Sequence, residues 1–335
     1  MSILLGDIGG TRARLEIRAQ GRRIAYKVYS SQAYSSLISL LQTFLLDVGH
    51  LADRLKPSVF SLAIAGPVIN EKQNQSVKVT NLAWFCSANK LREQFTLEKV
   101  FLINDLQAAA YGLAYLESTD IIEVYSGEAI KKFPKLLLGL GTGYGQSLLI
   151  EQNKELVALA AEAGHMNYAP FNAFSHIFYD VLAQSSPNDY MPVNVESILS
   201  GQGIIKLYDY LLEHSSILSS PEFTESMQKQ KRPETISDYA HRHEALAENV
   251  LEYYVELVGG QAANAALSCL PMGGLYLMGG TLRHIIPWLQ SHYFMNAFVG
   301  KGCMSSLLKK IPIYVVTSDN VGLLGARHIA KRYQG

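Results

Sequence analysis

The sequence predicts an α/β protein made of two related halves that face each other across a cleft. Three observations predict it. "ILLGDIGGTRARLEI" (residues 3–17) and "KLLLGLGTGYGQSLLIEQ" (135–152) each read as strand, glycine turn, strand, so the later segment repeats the pattern of the earlier one. After the first hairpin, apolar strands give way to helical patterns, as in sheets whose parallel strands are covered by helices. Finally, 335 residues at 48% hydrophobic content suit two domains better than one. Ligands of open α/β sheets bind at strand C-termini and in crevices, so two facing glycine turns would line an interdomain cleft.

The elements follow in order. Residues 3–6 form a short apolar strand. Ala13, Leu15 and Ile17 then alternate with Arg12, Arg14, Glu16 and Arg18, a period of two that marks a half-buried strand with the charges on its polar face. "RIAYKVYS" is a third strand with Ile24, Tyr26 and Val28 on one side, and these first three strands are expected to be antiparallel. Leu37, Leu40, Leu41, Phe44, Leu45 and Val48 recur at helical spacing, and Gly49 ends the helix. "SVFSLAIAGPV" is a strand stopped by Gly66 and Pro67. "KVFLIND" is another, followed at once by the helix "LQAAAYGLAYL". "SSPEFTESMQKQKRPE" (219–234) is polar, holds two prolines, and is expected to be a loop.

Composition removes several classes. Lys plus Arg and Asp plus Glu are 29 each, so no electrostatic footprint calls for nucleic acid or an anionic membrane. Cys86, Cys269 and Cys303 are scattered, which argues against disulfides and a Cys-rich zinc site and for three small core residues. The N-terminus lacks a basic region before its apolar run, and no apolar stretch approaches the ~18 residues that span a bilayer. The reading is a soluble cytoplasmic protein.

The glycine turns carry the chemistry. Such a turn presents backbone N–H groups and lets a ligand approach the main chain. Taken singly, each is an ordinary tight hairpin; as a pair they point to phosphate binding. "GDIGGT" adds Asp7, which offers Mg²⁺ a carboxylate directly or through water, and the hydroxyl of Thr11. "GLGTGYG" supplies Gly141, Thr142 and Gly143. Neither is a Walker A loop, and a strand rather than a helix follows each turn, so neither is a dinucleotide fingerprint. Gly279 and Gly280 in "LYLMGGTL" suit either a plain strand-to-helix turn or close approach of an adenine. Asn104 and Asp105 stand at a strand end and a helix start, where one can cap the helix and an Asp can accept a proton from a hydroxyl. In "AEAGHMNYAP", Glu162 and His165 offer an acceptor and a donor to vicinal hydroxyls, and the Ala-Gly between them suits a turn better than a metal-binding helix. Glu196 in "VESILSGQGIIKLY" reads as a helix N-terminal glutamate.

Together these segments, with "AIAGPV", "VTNLAWFCS" and "IPIYVVTSDNVGLLGA", resemble the bacterial glucokinase family of the hexokinase, actin and heat-shock chaperone ATPase superfamily over nearly the whole chain. The resemblance implies two duplicated ribonuclease-H-like (actin-like ATPase) domains about a cleft. Residues 1–106 plus 315–335 would form the small one and 107–314 the large one. It implies ATP-dependent phosphorylation of glucose at its 6-hydroxyl, with Asp105 as catalytic base. Asn104, Glu162, His165, Glu196 and, less directly, Asn81 would bind the sugar. Gly6, Asp7, Ile8, Gly9, Gly10 and Thr11 would bind ATP phosphates, with Mg²⁺ at Asp7. Gly141, Thr142 and Gly143 would meet the transferred phosphate, and Gly279 and Gly280 the adenine. It suggests a homodimer. Two departures stand out: Arg12 replaces the usual Asn, and Ala161 and Ala163 replace glycines. Arg12 either continues the strand's polar face or reaches ATP phosphates with its planar fork. The rival readings are a kinase for another hexose or aminosugar and a non-kinase actin-like ATPase. A sugar-responsive repressor is disfavoured, because its DNA-binding module would have to precede a strand that begins at Ile3.

Overall fold

The computed structural model describes residues 2–49, 55–130, 133–185 and 192–332. The chain divides into two compact units. Unit 1 holds residues 1–117, 156–160 and 318–335; unit 2 holds 118–155 and 161–317.

Unit 1 is built on a five-stranded sheet of β1 (Ser2–Ile8), β2 (Arg12–Ala19), β3 (Arg22–Ser30), β4 (Val59–Ile64) and β8 (Lys99–Asn104), in the order β3-β2-β1-β4-β8. β1, β2 and β3 pair antiparallel, while β4 lies parallel to β1 and β8 parallel to β4, as expected. The helix Leu37–Val48 covers one face through Leu37, Leu40, Leu41 and Phe44. It begins with a capping box between Ser36 and Ser39, and Gly49 ends it at a positive φ that favours glycine. On the other face, Leu323, Ala326 and Ala330 of the C-terminal helix Val321–Arg332 pack on Ile3, Leu5 and Val59. A small antiparallel sheet of β5 (Val68–Glu71), β6 (Asn74–Lys78) and β7 (Phe85–Ser87) lies between β4 and β8 in the sequence.

Beyond Arg12, the charges of β2 are not a solvated face. Glu16 is buried and accepts from Arg18 (2.5 Å) and Arg23 (2.7 Å), and Arg14 is mostly buried between two carboxylates. Alternation does set the side: Leu5 opposes Glu16, so these groups lie on the C-terminal-helix face, and ion pairing replaces water there. Ile24, Tyr26 and Val28 are all exposed on edge strand β3.

A six-stranded sheet comprises β9 (Ile121–Tyr125), β10 (Lys135–Leu140), β11 (Tyr144–Gln152), β12 (Glu155–Ala161), β13 (Leu275–Met278) and β14 (Ile313–Val316), in the order β12-β11-β10-β13-β14-β9, and all of these strands but β12 belong to unit 2. β10 is antiparallel to β11 and parallel to β13, and β13 is parallel to β14. That repeats the β2-β1-β4-β8 pattern of unit 1. The core of unit 2 is organised by the 25-residue helix Ala245–Cys269, which buries Val250, Leu251, Tyr254 and Val258.

Two expectations need correction. Residues 219–234 are not a loop: Pro221–Lys229 and Pro233–Ala240 are helices. Each proline occupies the first helical turn, where its missing N–H costs nothing; Ser220 caps the first helix, and Phe223 and Met227 bury one of its faces. The cysteines are not all core residues: Cys86 is buried, Cys269 half-buried and Cys303 exposed in the short turn Gly302–Met304. Within unit 1, the helices near residues 105 and 321 meet directly. The helix Asp105–Gly112 packs on the C-terminal helix so closely that a Cβ on Gly325 would lie 1.7 Å from the Ala108 carbonyl. Among the described residues, no helix is long and apolar enough to cross a membrane.

Candidate active site

Unit 1 gathers its acids around the first glycine turn. Asp7 ends the buried run of β1 beside Asp105 and Asp319, close enough for both carboxylates to push its own upward. Burial is the larger cause and raises the Asp7 carboxyl to about 6, against the pull of Arg14. Arg14 bridges Asp7 Oδ2 and Asp319 Oδ1, each at 3.4 Å. Gly322, in the first turn of the C-terminal helix, packs against this carboxylate; a Cβ there would lie 2.8 Å from the Asp7 carboxyl carbon. Sequence reasoning misses Arg14, Asp319 and Gly322. Only the Asp7–Arg14 register could hint at Arg14, since opposed residues of an antiparallel pair share a face.

Ser31, fully buried, anchors the turn itself. Its N–H donates to the Thr11 carbonyl (2.9 Å) and its Oγ to the Gly9 carbonyl (2.7 Å). Gly10 meets the "TN" segment: a Cβ on it would lie 3.1 Å from the Thr80 carbonyl and 3.3 Å from Asn81 Cβ. Asn81 is exposed and left-handed (φ +62°), a conformation Asn tolerates. Arg12 is exposed at the start of β2.

Asn104 does cap the next helix. Its Oδ1 accepts from Gln107 N–H (3.0 Å), and its Nδ2 donates to the Gly66 carbonyl (3.1 Å). Asp105 is the first helical residue, with Oδ1 accepting from Leu106 N–H at 2.9 Å, which fixes the carboxylate at the strand end.

Unit 2 brings together the other glycine turn and the remaining acids. Glu162 and His165 are exposed, Glu162 directly before the short 3₁₀ turn Ala163–His165 and His165 at its end, as the Ala-Gly spacing suggests. The chain after it pairs with the approach to Glu196: Val195 N–H donates to the Met166 carbonyl (2.9 Å) and Tyr168 N–H to that of Val193 (3.0 Å). Glu196 lies in the first turn of the helix Val195–Leu199, capped by Asn194. Its Oε2 accepts from Tyr144 N–H at 2.9 Å, directly after Gly143. Gly279 ends β13 against β10, where a Cβ would lie 1.8 Å from the Leu140 carbonyl; Gly280 opens a 3₁₀ turn and is exposed. Thr142 is exposed at the tip of its turn. Among the described residues, no group of three or more His, Cys, Asp or Glu could hold a metal by itself.

A sequence profile of the glucokinase family matches residues 4–333. The chain belongs to the glucokinase family. A glucokinase of Nostoc punctiforme is 32% identical over 347 aligned positions, covering 98% of this chain and 99% of the relative. Among solved structures, a glucokinase from an Antarctic psychrotroph superposes with a TM-score of 0.80 at 27% identity, over 99% of both chains. A Balamuthia mandrillaris glucokinase bound to glucose gives 0.81 at 20% identity, over 98% of this chain and 93% of that one, which bears on the fold alone. The fold is thus that of the actin-like sugar kinases, and the duplicated sheets are its two domains.

Proposed function

We propose that this chain performs the reaction of its family, transfer of the γ-phosphoryl group of ATP to the 6-hydroxyl of D-glucose, with Asp105 as the base. The observation that carries the assignment is the placement of Asp105 at a helix start beside Asp7 of the first glycine turn. A hydroxyl is a poor nucleophile. With a loose transition state its proton leaves late, so a carboxylate held in place to receive it is sufficient. Asn104 orients the same hydroxyl region. Glu162, His165 and Glu196 take the other sugar hydroxyls, and Asn81 flanks them.

The carbonyls of Gly9 and Thr11 are tied to Ser31 and the Gly9 N–H is donated to the Arg12 carbonyl (2.9 Å), so on this reading the N–H groups of Gly10 and Thr11 are the ones offered to ATP phosphates. Gly6, Asp7, Ile8 and Gly10 complete that loop, Thr142 with Gly141 and Gly143 serves the transferred group, and Gly279 and Gly280 serve the adenine. Mg²⁺ fits this donor set. Asp7 is a hard oxygen ligand amid excess negative charge, and Mg²⁺ is usually held by one or two carboxylates plus substrate phosphates rather than by a protein cage. When bound, it would neutralise phosphate charge. A cytoplasmic location and homodimeric assembly belong to the same reading. Sedimentation as a monomer at working concentration would remove the dimer.

The test is ADP release across a panel of hexoses, with and without Mg²⁺. Glucose should be the preferred acceptor and Mg²⁺ required. Asp105→Asn should lower turnover by about 10²–10⁴-fold, the usual worth of a positioned base, while calorimetric glucose affinity stays within about twofold of wild type, well under one hydrogen bond. Near-normal turnover would remove Asp105 as the base.

A further inference from the structure

The segment that carries Glu196 grips the glycine turn at 141–143 from both ends. At one end, Glu196 Oε2 accepts from Tyr144 N–H at 2.9 Å. At the other, Gly201 N–H donates to the Gly141 carbonyl at 2.9 Å, while the turn closes on itself through Gly141 N–H and the Gly143 carbonyl. The same carboxylate oxygen is wedged between two glycines. A Cβ on Gly143 would lie 2.4 Å from Oε2, and one on Gly164, in the Glu162–His165 turn, would lie 3.3 Å from it. The Gly164 Cβ would also lie 2.3 Å from the Tyr144 carbonyl. One oxygen therefore touches the turn assigned to the transferred phosphate and the turn assigned to the sugar. All these groups belong to unit 2.

We infer that Glu196 is a positioning residue for this phosphate turn as well as a sugar ligand, so that hexose recognition and phosphoryl-donor binding are coupled through its carboxylate. This rests on the proposed function for the identity of the two ligands. The physical basis is local. The Tyr144 N–H fixes one carboxylate oxygen and leaves the orientation of the other determined. A sugar hydroxyl bound there restricts the carboxylate, and a restricted carboxylate holds the turn. By linkage the effect is reciprocal: whatever the sugar does to nucleotide affinity, the nucleotide does to sugar affinity.

The decisive measurement omits the sugar. Affinity for a non-hydrolysable ATP analogue with Mg²⁺ is measured by calorimetry for wild type, Glu196→Ala and Glu196→Gln. Glu196→Ala should bind about 5–10-fold more weakly, the scale of one lost hydrogen bond. Glu196→Gln should stay within about twofold of wild type, because its amide oxygen still accepts from Tyr144 N–H. A residue that served the sugar alone would leave both variants at wild-type affinity, and that result overturns the inference. So does equal weakening of both, which would assign the effect to charge instead of the hydrogen bond. If Glu196→Ala does not fold, Gly143→Ala removes no functional group and displaces the carboxylate. It should weaken glucose binding without nucleotide by a similar factor, and an unchanged Kd counts against the coupling. The proposed function fails separately: wild type that binds the analogue but neither binds nor phosphorylates any hexose refutes it and the coupling with it, while the sugar-free comparison still decides whether Glu196 positions the turn.

Discussion

Asp7 shows what the first turn costs the fold. Its carboxyl ordinarily ionises near 3.8 and is raised to about 6, chiefly by burial and further by Asp105 and Asp319. A raised acid pKa means that the folded state holds the proton more tightly than the unfolded chain. Its contribution to stability is fully present below pH 4 and is lost as pH rises through 6. The difference corresponds to about 3 kcal/mol at neutral pH. Asp7→Asn should therefore unfold at higher urea than wild type at pH 7.5, with the gap closing below pH 4. Trp84, buried in unit 1, reports that transition by fluorescence. A variant less stable than wild type at pH 7.5 would show that the Arg14 pairing outweighs burial. The same carboxylate should be indispensable for Mg²⁺-dependent turnover, so stability and activity pull in opposite directions at one residue.

At the scale of elements, the crossing of the helices Asp105–Gly112 and Val321–Arg332 depends on the absence of side chains. A Cβ on Gly325 would fall 1.7 Å from the Ala108 carbonyl, and one on Gly112 would fall 2.2 Å from that of Val321. Backbone atoms cannot swing aside as a side chain can. Gly325→Ala should cost about 1–3 kcal/mol, as overpacking does, and should lower turnover too, because the displaced helix begins with Asp105. Thermal unfolding with a parallel rate assay checks this; unchanged values in both would mean that the crossing relaxes without strain. Neither contact is visible in the sequence, although both helices are. The strands, the two glycine hairpins and the Asp105 helix are legible there because period, turn residues and caps are local properties. The helices at 221–240 escape because proline reads as a breaker, whereas at the first helical turn it starts a helix. Alternation assigns the arginines of β2 to the correct face, but period two cannot tell a solvated face from one covered by a distant helix. Asp7 and Asp105 can be found as polar residues at strand ends. Asp319 and the Tyr144 N–H cannot, since their roles arise from partners brought together by the fold, and Arg14 is hinted at only by its register opposite Asp7.

On the scale of the whole molecule, unit 1 is assembled from three separate stretches of chain. Its last stretch supplies Leu323, Ala326 and Ala330 to the sheet, and the Ala326 carbonyl to the buried hydroxyl of Ser61 at 2.8 Å. Deleting residues 318–335 should strip β1 and β4 of amide-exchange protection while β10 and β13 in unit 2 retain theirs. Protection of β1 equal to that in the full chain would mean that the sheet needs no cover on that face.

That discontinuity also orders events on the ribosome. Every residue of unit 2 has been synthesised before the last stretch of unit 1, which begins at 318, has appeared. The opening strands, made first, must wait for most of the remaining chain, roughly 15–55 s at about 5–20 residues per second. Throughout that interval Ile3, Leu5 and Val59 lack the helix that covers them in the finished protein. Unit 1, with the first glycine turn, is thus the later of the two to be completed and the one whose apolar face stays uncovered longer during translation.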